Sequence, residues 1–133
     1  MLKFYYAKNS AAYAPHILLE DVGAEYEAIK IDFASGEQRS AAYLSINPKG
    51  RVPSLITNQG ILTETPAILT FIAQLYPKHN LVPKSPFEFA KAQAFNCYIA
   101  STVHVATTHT HSLMQQRRTC VQHEIADPAC HDA

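Results

Sequence analysis

The sequence has no excess of charge of either sign. Eleven Lys and Arg balance eleven Asp and Glu, and no like-charge run is longer than Glu20-Asp21 or Arg117-Arg118. Nothing in it would hold a polyanion electrostatically, which argues against nucleic acid as a partner. Long hydrophobic runs are missing as well, and Met1-Leu2-Lys3-Phe4 does not begin the basic, apolar and small-residue succession of a secretory leader. The expectation is a soluble, cytoplasmic protein with no membrane partner. Cysteine is scarce: Cys97, Cys120 and Cys130 form no C-x-x-C pair and no even-numbered framework, which argues against a disulfide-built secreted scaffold and against a dithiol oxidoreductase. Internal repeats and Gly/Ser linkers are also lacking.

Aromatic residues are absent from Thr107 to Ala133, whereas all thirteen Phe and Tyr lie between Phe4 and Tyr98. The last stretch offers only Leu113, Met114, Val121 and Ile125 as sizeable apolar side chains, with four of the seven histidines. That is too little for a continuous helical stripe or strand, so it is expected to pack poorly. His109-x-His111, Cys120-x-x-His123 and Cys130-His131 carry donors that zinc accepts, but their spacing fits no common zinc module, and no metal site is assigned.

What is present suffices for one modest core. With 133 residues, 47% of them apolar, one compact domain plus an appendage is the ceiling. Leu2 to Ala7 alternates and is aromatic-rich, as in a buried strand; Lys8-Asn9-Ser10 turns into an apolar helical run through Ile17, Leu18 and Leu19, which Gly23 stops. Tyr26 to Phe33 places Ile29, Ile31 and Phe33 at period two and closes a strand-helix-strand unit with a parallel crossover. Ser40 to Ile46 is a short irregular helix and Asn47-Pro48-Lys49-Gly50 a turn. Val52 to Thr57 and Ile61 to Thr63 flank the hairpin chemistry of Asn58-Gln59-Gly60. Thr65 and Pro66 read as N-cap and first residue of a third helix, with Ile68, Phe71, Ile72 and Leu75 at helical spacing. Ser85-Pro86-Phe87-Glu88 has the pattern of a capping box for a fourth helix, expected to reach about Val105. The fold class is therefore α/β, a βαβ-α-ββα mixed sheet with helices on both faces.

In that order, five segments resemble the glutathione S-transferases, most closely the bacterial beta-class branch. They are Phe4-Tyr5-Tyr6; Ala14-Pro15-His16-Ile17-Leu18-Leu19-Glu20; Asn47-Pro48-Lys49-Gly50-Arg51-Val52-Pro53-Ser54-Leu55; Leu62-Thr63-Glu64-Thr65-Pro66-Ala67-Ile68; and Tyr98-Ile99-Ala100-Ser101-Thr102-Val103-His104. Each is weak alone, but together they are specific. The resemblance implies a thioredoxin-like N-terminal domain followed by an all-helical domain, glutathione as co-substrate, a small electrophile as second substrate, and a homodimer. It implies a thioredoxin-like domain over 1–77, a linker over 78–85, the first helix of the all-α domain over 86–106, and an atypical tail over 107–133. A full-length member would continue for about seventy residues more, so the expectation is a truncated or frame-shifted second domain, an exposed apolar face on the fourth helix at Phe89, Phe95 and Ile99, and weak stability or association through that face.

Glutathione chemistry needs a cradle for a carboxylate and an ammonium group, and a donor that favours thiolate over thiol. Glu64-Thr65-Pro66 stands at a helix N-terminus, which suits a carboxylate, with Glu64 available to an ammonium group. The resemblance carries Glu64 and Thr65 to the γ-glutamyl end and Val52, before a cis Pro53, to a backbone pairing with the cysteinyl part. Lys49 or Arg51 could neutralise the glycyl carboxylate. Thr65 could equally be an ordinary cap and Pro53 an ordinary strand-edge proline. At the position where beta-class members carry cysteine, this sequence has Ala11. Ser10 and Tyr6 are the remaining candidate sulfur donors; their alternative roles are helix capping and a buried sheet aromatic. By resemblance His104 reaches toward glutathione as donor or base, and Tyr98 lines the second-substrate side; a plain helix-surface imidazole is the other reading of His104. The rival function is a non-catalytic thioredoxin-like binding module, which the loss of the cysteine at Ala11 favours.

Overall fold

The computed structural model describes residues 1–107. The histidine- and cysteine-containing pairs from His109 onward, and the expectation of poor packing for the tail, lie outside the described residues. Two compact units divide between Asn96 and Cys97.

The first unit is built on a four-stranded sheet in the order β2-β1-β3-β4, from β1 (Leu2–Tyr6), β2 (Tyr26–Lys30), β3 (Ser54–Thr57) and β4 (Gly60–Thr63). β1 runs parallel to β2 with Phe4 opposite Ala28, and antiparallel to β3 with Phe4 opposite Leu55. A parallel pair cannot be joined by a tight turn, and α1 (Tyr13–Asp21) supplies the crossover. Gly23, at φ +63, ends that helix: its N–H bonds to the Glu20 carbonyl and the Ala24 N–H to the Leu19 carbonyl. Asn58-Gln59 closes the β3–β4 hairpin, with Thr57 opposite Gly60.

Alternation along β1 decides what each face buries. Phe4 and Tyr6 point to the side covered by α1 and α3 (Thr65–Leu75), where Phe4, Leu19, Leu55, Ile68 and Ile72 are fully buried with Ala12 and Val22. Tyr5 points to the other side, where its ring lies 5.6 Å from that of Tyr43 on α2 (Ala41–Leu44). Ser40 caps α2, accepting from the Tyr43 N–H at 3.1 Å.

Three local expectations change. β2 ends at Lys30, although the Ile31 N–H still reaches the Tyr6 carbonyl at 2.8 Å. Beyond it the Asp32 carboxylate accepts from the Ala34 N–H and turns the chain, leaving Phe33 exposed. The fourth helix, α4 (Pro86–Tyr98), begins at its proline, yet Glu88 pairs with Lys91 at 3.3 Å instead of reaching back to Ser85. Thr65 is the first residue of α3 and not its cap: the Glu64 carbonyl takes the first helical bond, from the Ile68 N–H at 3.0 Å, and Glu64 stands in the cap position.

The second unit, over its described part, continues from α4 through a π turn at Ile99–Val103 into helix at His104. Among the described residues no helix is long and apolar enough to cross a membrane.

Candidate functional site

Three loops meet at one end of the sheet in the first unit. The first is the turn after β1. Ser10 is fully engaged in it: its hydroxyl donates to the Ala7 carbonyl at 2.7 Å and accepts from the Ala12 N–H at 3.2 Å. Ser10 thus closes the turn that leads into α1 but is not that helix's N-cap, a position held by Ala12 with no side-chain cap bond. Ala11, where a thiol would stand in the beta-class pattern, uses its carbonyl to accept the Thr65 hydroxyl at 3.3 Å. That bond ties the first turn to the start of α3, across 54 residues of sequence.

The second loop runs from Asn47 to Ser54 and contains the cis Val52-Pro53 bond. Buried polar side chains hold it from behind. The Asn47 amide and the Tyr43 hydroxyl each donate to the Arg51 carbonyl at 2.7 Å, and both reach the Ser54 hydroxyl, at 3.3 and 3.1 Å. Asn47 Oδ1 accepts from the Lys49 N–H, which tightens the turn. Gly50, at φ +61, passes so close to the Gln38 carbonyl that a Cβ would sit 3.0 Å from it. The outcome is a rigid strand entry: the Val52 N–H and C=O carry no protein hydrogen bond among the described residues. The supporting trio of Tyr43, Asn47 and Ser54 has no signal in local periodicity; only the Asn-Pro-Lys-Gly turn chemistry hints at it.

Removing one member should be costly. Asn47→Ala leaves the Arg51 carbonyl and the buried Ser54 hydroxyl short of a donor, and the expected loss is about 1–3 kcal/mol of unfolding free energy, read from the urea midpoint. Burial pushes the Tyr43 phenol above its usual value of 10.0, against the opposing hydrogen bonds from Ser54 and Asn47. A phenol with a raised folded-state pKa contributes stability that is complete below about pH 10 and lost as pH rises through the folded value. Urea midpoints at about pH 9 and about pH 11 should therefore fall more steeply for the wild type than for Tyr43→Phe.

The third element is the N-terminus of α3. Glu64 adopts φ 73, ψ 123, a conformation that costs a non-glycine residue about 1–3 kcal/mol. No side chain caps the helix, so the amides of its first turn are directed outward with the positive end of the dipole. The Glu64 carboxylate meets Lys49 Nζ at 2.6 Å, a pair whose side chains are 63% and 57% exposed.

Tyr6, at the end of β1, is half-buried, and its ring lies 4.7 Å from that of His16, which also faces Phe4 and Tyr26. Its hydroxyl has no hydrogen-bond partner among the described residues. Tyr26 in the same cluster donates to Glu20, and burial together with that bond holds its phenol far above the usual range. The role of His16 in this aromatic cluster is a feature that sequence reasoning passed over. The Arg51 side chain is exposed. His104 belongs to the second unit, where its carbonyl accepts the Thr107 hydroxyl at 2.8 Å. Among the described residues no group of three or more His, Cys, Asp and Glu could hold a metal ion.

Residues 1–74 match the family model for the glutathione S-transferase N-terminal domain. The chain belongs to the glutathione S-transferase family. It is 30% identical over 107 residues to a maleylacetoacetate isomerase of Pseudomonas aeruginosa, a match covering 77% of this chain and 50% of that protein. A glutathione transferase homologue from Sulfitobacter with bound glutathione superposes with a TM-score of 0.77 at 42% identity, over 82% of this chain and 53% of that one. The beta-class glutathione S-transferase of Sphingomonas chungbukensis gives a TM-score of 0.70 at 33% identity, over 78% and 53%. The chain thus spans about half the length of the relatives it matches. The thioredoxin-like glutathione S-transferase fold and the likeness to bacterial, beta-class members agree with the reading of the sequence.

Proposed function

We propose that this chain binds glutathione at the junction of the three loops and serves the conjugation of its sulfur to a small electrophile. The observation that carries the reading is the Thr65–Ala11 hydrogen bond, which joins the α3 terminus to the turn after β1. Family membership and the glutathione held by the Sulfitobacter relative support it. In this reading the outward amides of α3 and Thr65 receive the γ-glutamyl carboxylate, and Glu64 its ammonium group. The open backbone of Val52 pairs with the cysteinyl part beside Pro53. Lys49 or Arg51 neutralises the glycyl carboxylate.

The sulfur must lose its proton before it attacks, and a donor to the thiolate makes that loss easier. Ser10 spends its only proton on the Ala7 carbonyl, whereas the Tyr6 hydroxyl has no competing partner among the described residues. Tyr6 is therefore the proposed donor, and the thiol proton passes to solvent. The thiolate then attacks the electrophilic carbon, and the carbon–sulfur bond forms as that carbon's bond to its leaving group breaks, the leaving group departing with the bonding electrons. We place the protein in the cytoplasm, as a homodimer in a detoxification role, with 1–77 as the glutathione domain, 78–85 as a linker and 86–106 as the start of the helical domain.

Conjugation of glutathione by the full chain, measured against the uncatalysed rate, tests this. A rate above background that saturates with glutathione is expected. A rate equal to background would favour the non-catalytic thioredoxin-like module, the reading that Ala11 supports.

A further inference from the structure

Lys49 and Glu64 sit on different loops, 15 residues apart, and their side chains meet at 2.6 Å. Both ends of this link are fixed by the backbone. Lys49 follows the Asn47 turn, whose Oδ1 holds its N–H, and Glu64 is locked in its strained conformation by the helix bond from Ile68. The two charged tips are nonetheless more than half exposed, so the pair is held in register but weak. Such a pair is easily exchanged. Glu64 is also the carboxylate that the proposed glutathione site offers to an ammonium group, and Lys49 already supplies a cation there.

We propose that Lys49 is the resident counter-ion of Glu64, and that a γ-glutamyl ligand binds by ion exchange, its ammonium group replacing the Lys49 ammonium. This rests on the glutathione site proposed above. Lys49 is then a specificity-determining residue. It keeps Glu64 neutralised when a ligand lacks the ammonium group, and so narrows the advantage of glutathione over a des-amino analogue. It also leaves Arg51, whose side chain is exposed, to the glycyl carboxylate.

The role differs in an observable way from direct contact with the glycyl end. If Lys49 held the glycyl carboxylate, its loss would weaken glutathione and glutaryl-cysteinyl-glycine equally, because both carry that carboxylate. As counter-ion, its loss removes a competitor for the ammonium group only. Calorimetric titration of the full chain with the two ligands at low ionic strength reads the ratio of their affinities. In Lys49→Met the preference for glutathione should rise by up to about fivefold, the size of one exposed ion pair. Lys49→Arg, which keeps the charge, should return the ratio to the wild-type value. An unchanged ratio in Lys49→Met, with wild-type glutathione binding intact, overturns the exchange and leaves the glutathione site standing. Failure of the wild type to bind either ligand overturns both. A thermal melt of each variant confirms that it folds, as substitution of an exposed side chain allows.

Discussion

Replacing Tyr6 by phenylalanine is expected to lower kcat/KM for glutathione conjugation by about a hundredfold or more, the usual loss when one preorganised donor to a developing anion is removed. The argument turns on which hydroxyl is available. Ser10 is tied at both ends inside its turn, while Tyr6 stands at the end of β1 with its ring fixed beside His16 and its hydroxyl without a partner among the described residues. Phenylalanine preserves that ring packing, so the melting temperature should barely move. Ser10→Ala should show the opposite signature: a loss of about 1 kcal/mol of stability from the missing turn hydrogen bonds, with conjugation changed only a few-fold. Parallel measurement of both variants separates a sulfur donor from a turn-closing hydroxyl. Loss of activity in Ser10→Ala with Tyr6→Phe unaffected would reverse the assignment.

Ile68→Ala should be the most damaging single change to the fold. Ile68 is fully buried among Phe4, Leu19, Leu55 and Ile72, and its N–H makes the first hydrogen bond of α3, to the carbonyl of Glu64. Truncating such a side chain costs about 2–5 kcal/mol in lost transfer free energy and cavity. A domain of this size has about 5–15 kcal/mol in total, so the variant should be largely unfolded at temperatures where the wild type is folded. The substitution also acts on the site, because the same turn of α3 carries Glu64 and Thr65. Circular dichroism melts should show the midpoint falling by more than 10 °C, roughly what a few kcal/mol produce in a domain of this size. A shift of only a degree or two would mean that α3 is not part of one cooperative core.

The order of elements was legible because each boundary has a local cause. Alternation in Leu2 to Ala7, the positive φ that Gly23 accepts, and the Asn58-Gln59 turn each act over a few residues, and the strands and helices fall where those signals place them. The errors mark where local signals compete with distant partners. Thr65 looked like a cap because its hydroxyl suits one, but that hydroxyl is claimed by Ala11, 54 residues away. Ser85 and Glu88 have capping-box spacing, yet Lys91 one turn along takes the carboxylate. Phe33 continued a period-two pattern that the Asp32 turn had already ended.

The candidate site was legible to a lesser depth. Its motif residues, Val52-Pro53 and Glu64-Thr65, stand out in the sequence, but what holds them does not. Tyr43, Asn47 and Ser54 form one buried network only after α2 packs under β3, and no periodicity in a single segment announces such closure. The Lys49–Glu64 pair is likewise a product of two loops meeting, and the charge pattern along the chain gives no reason to join those two residues rather than others.

A thermal melt of the full chain with and without saturating glutathione tests the central claim most directly. At a hundredfold excess over the dissociation constant, a ligand that binds only the folded state adds about 2.7 kcal/mol, a shift of several degrees for a domain of this size. A cooperative transition that moves up by that amount, and moves less in Glu64→Gln, is the predicted result. A cooperative transition that stays in place at millimolar glutathione would contradict the account.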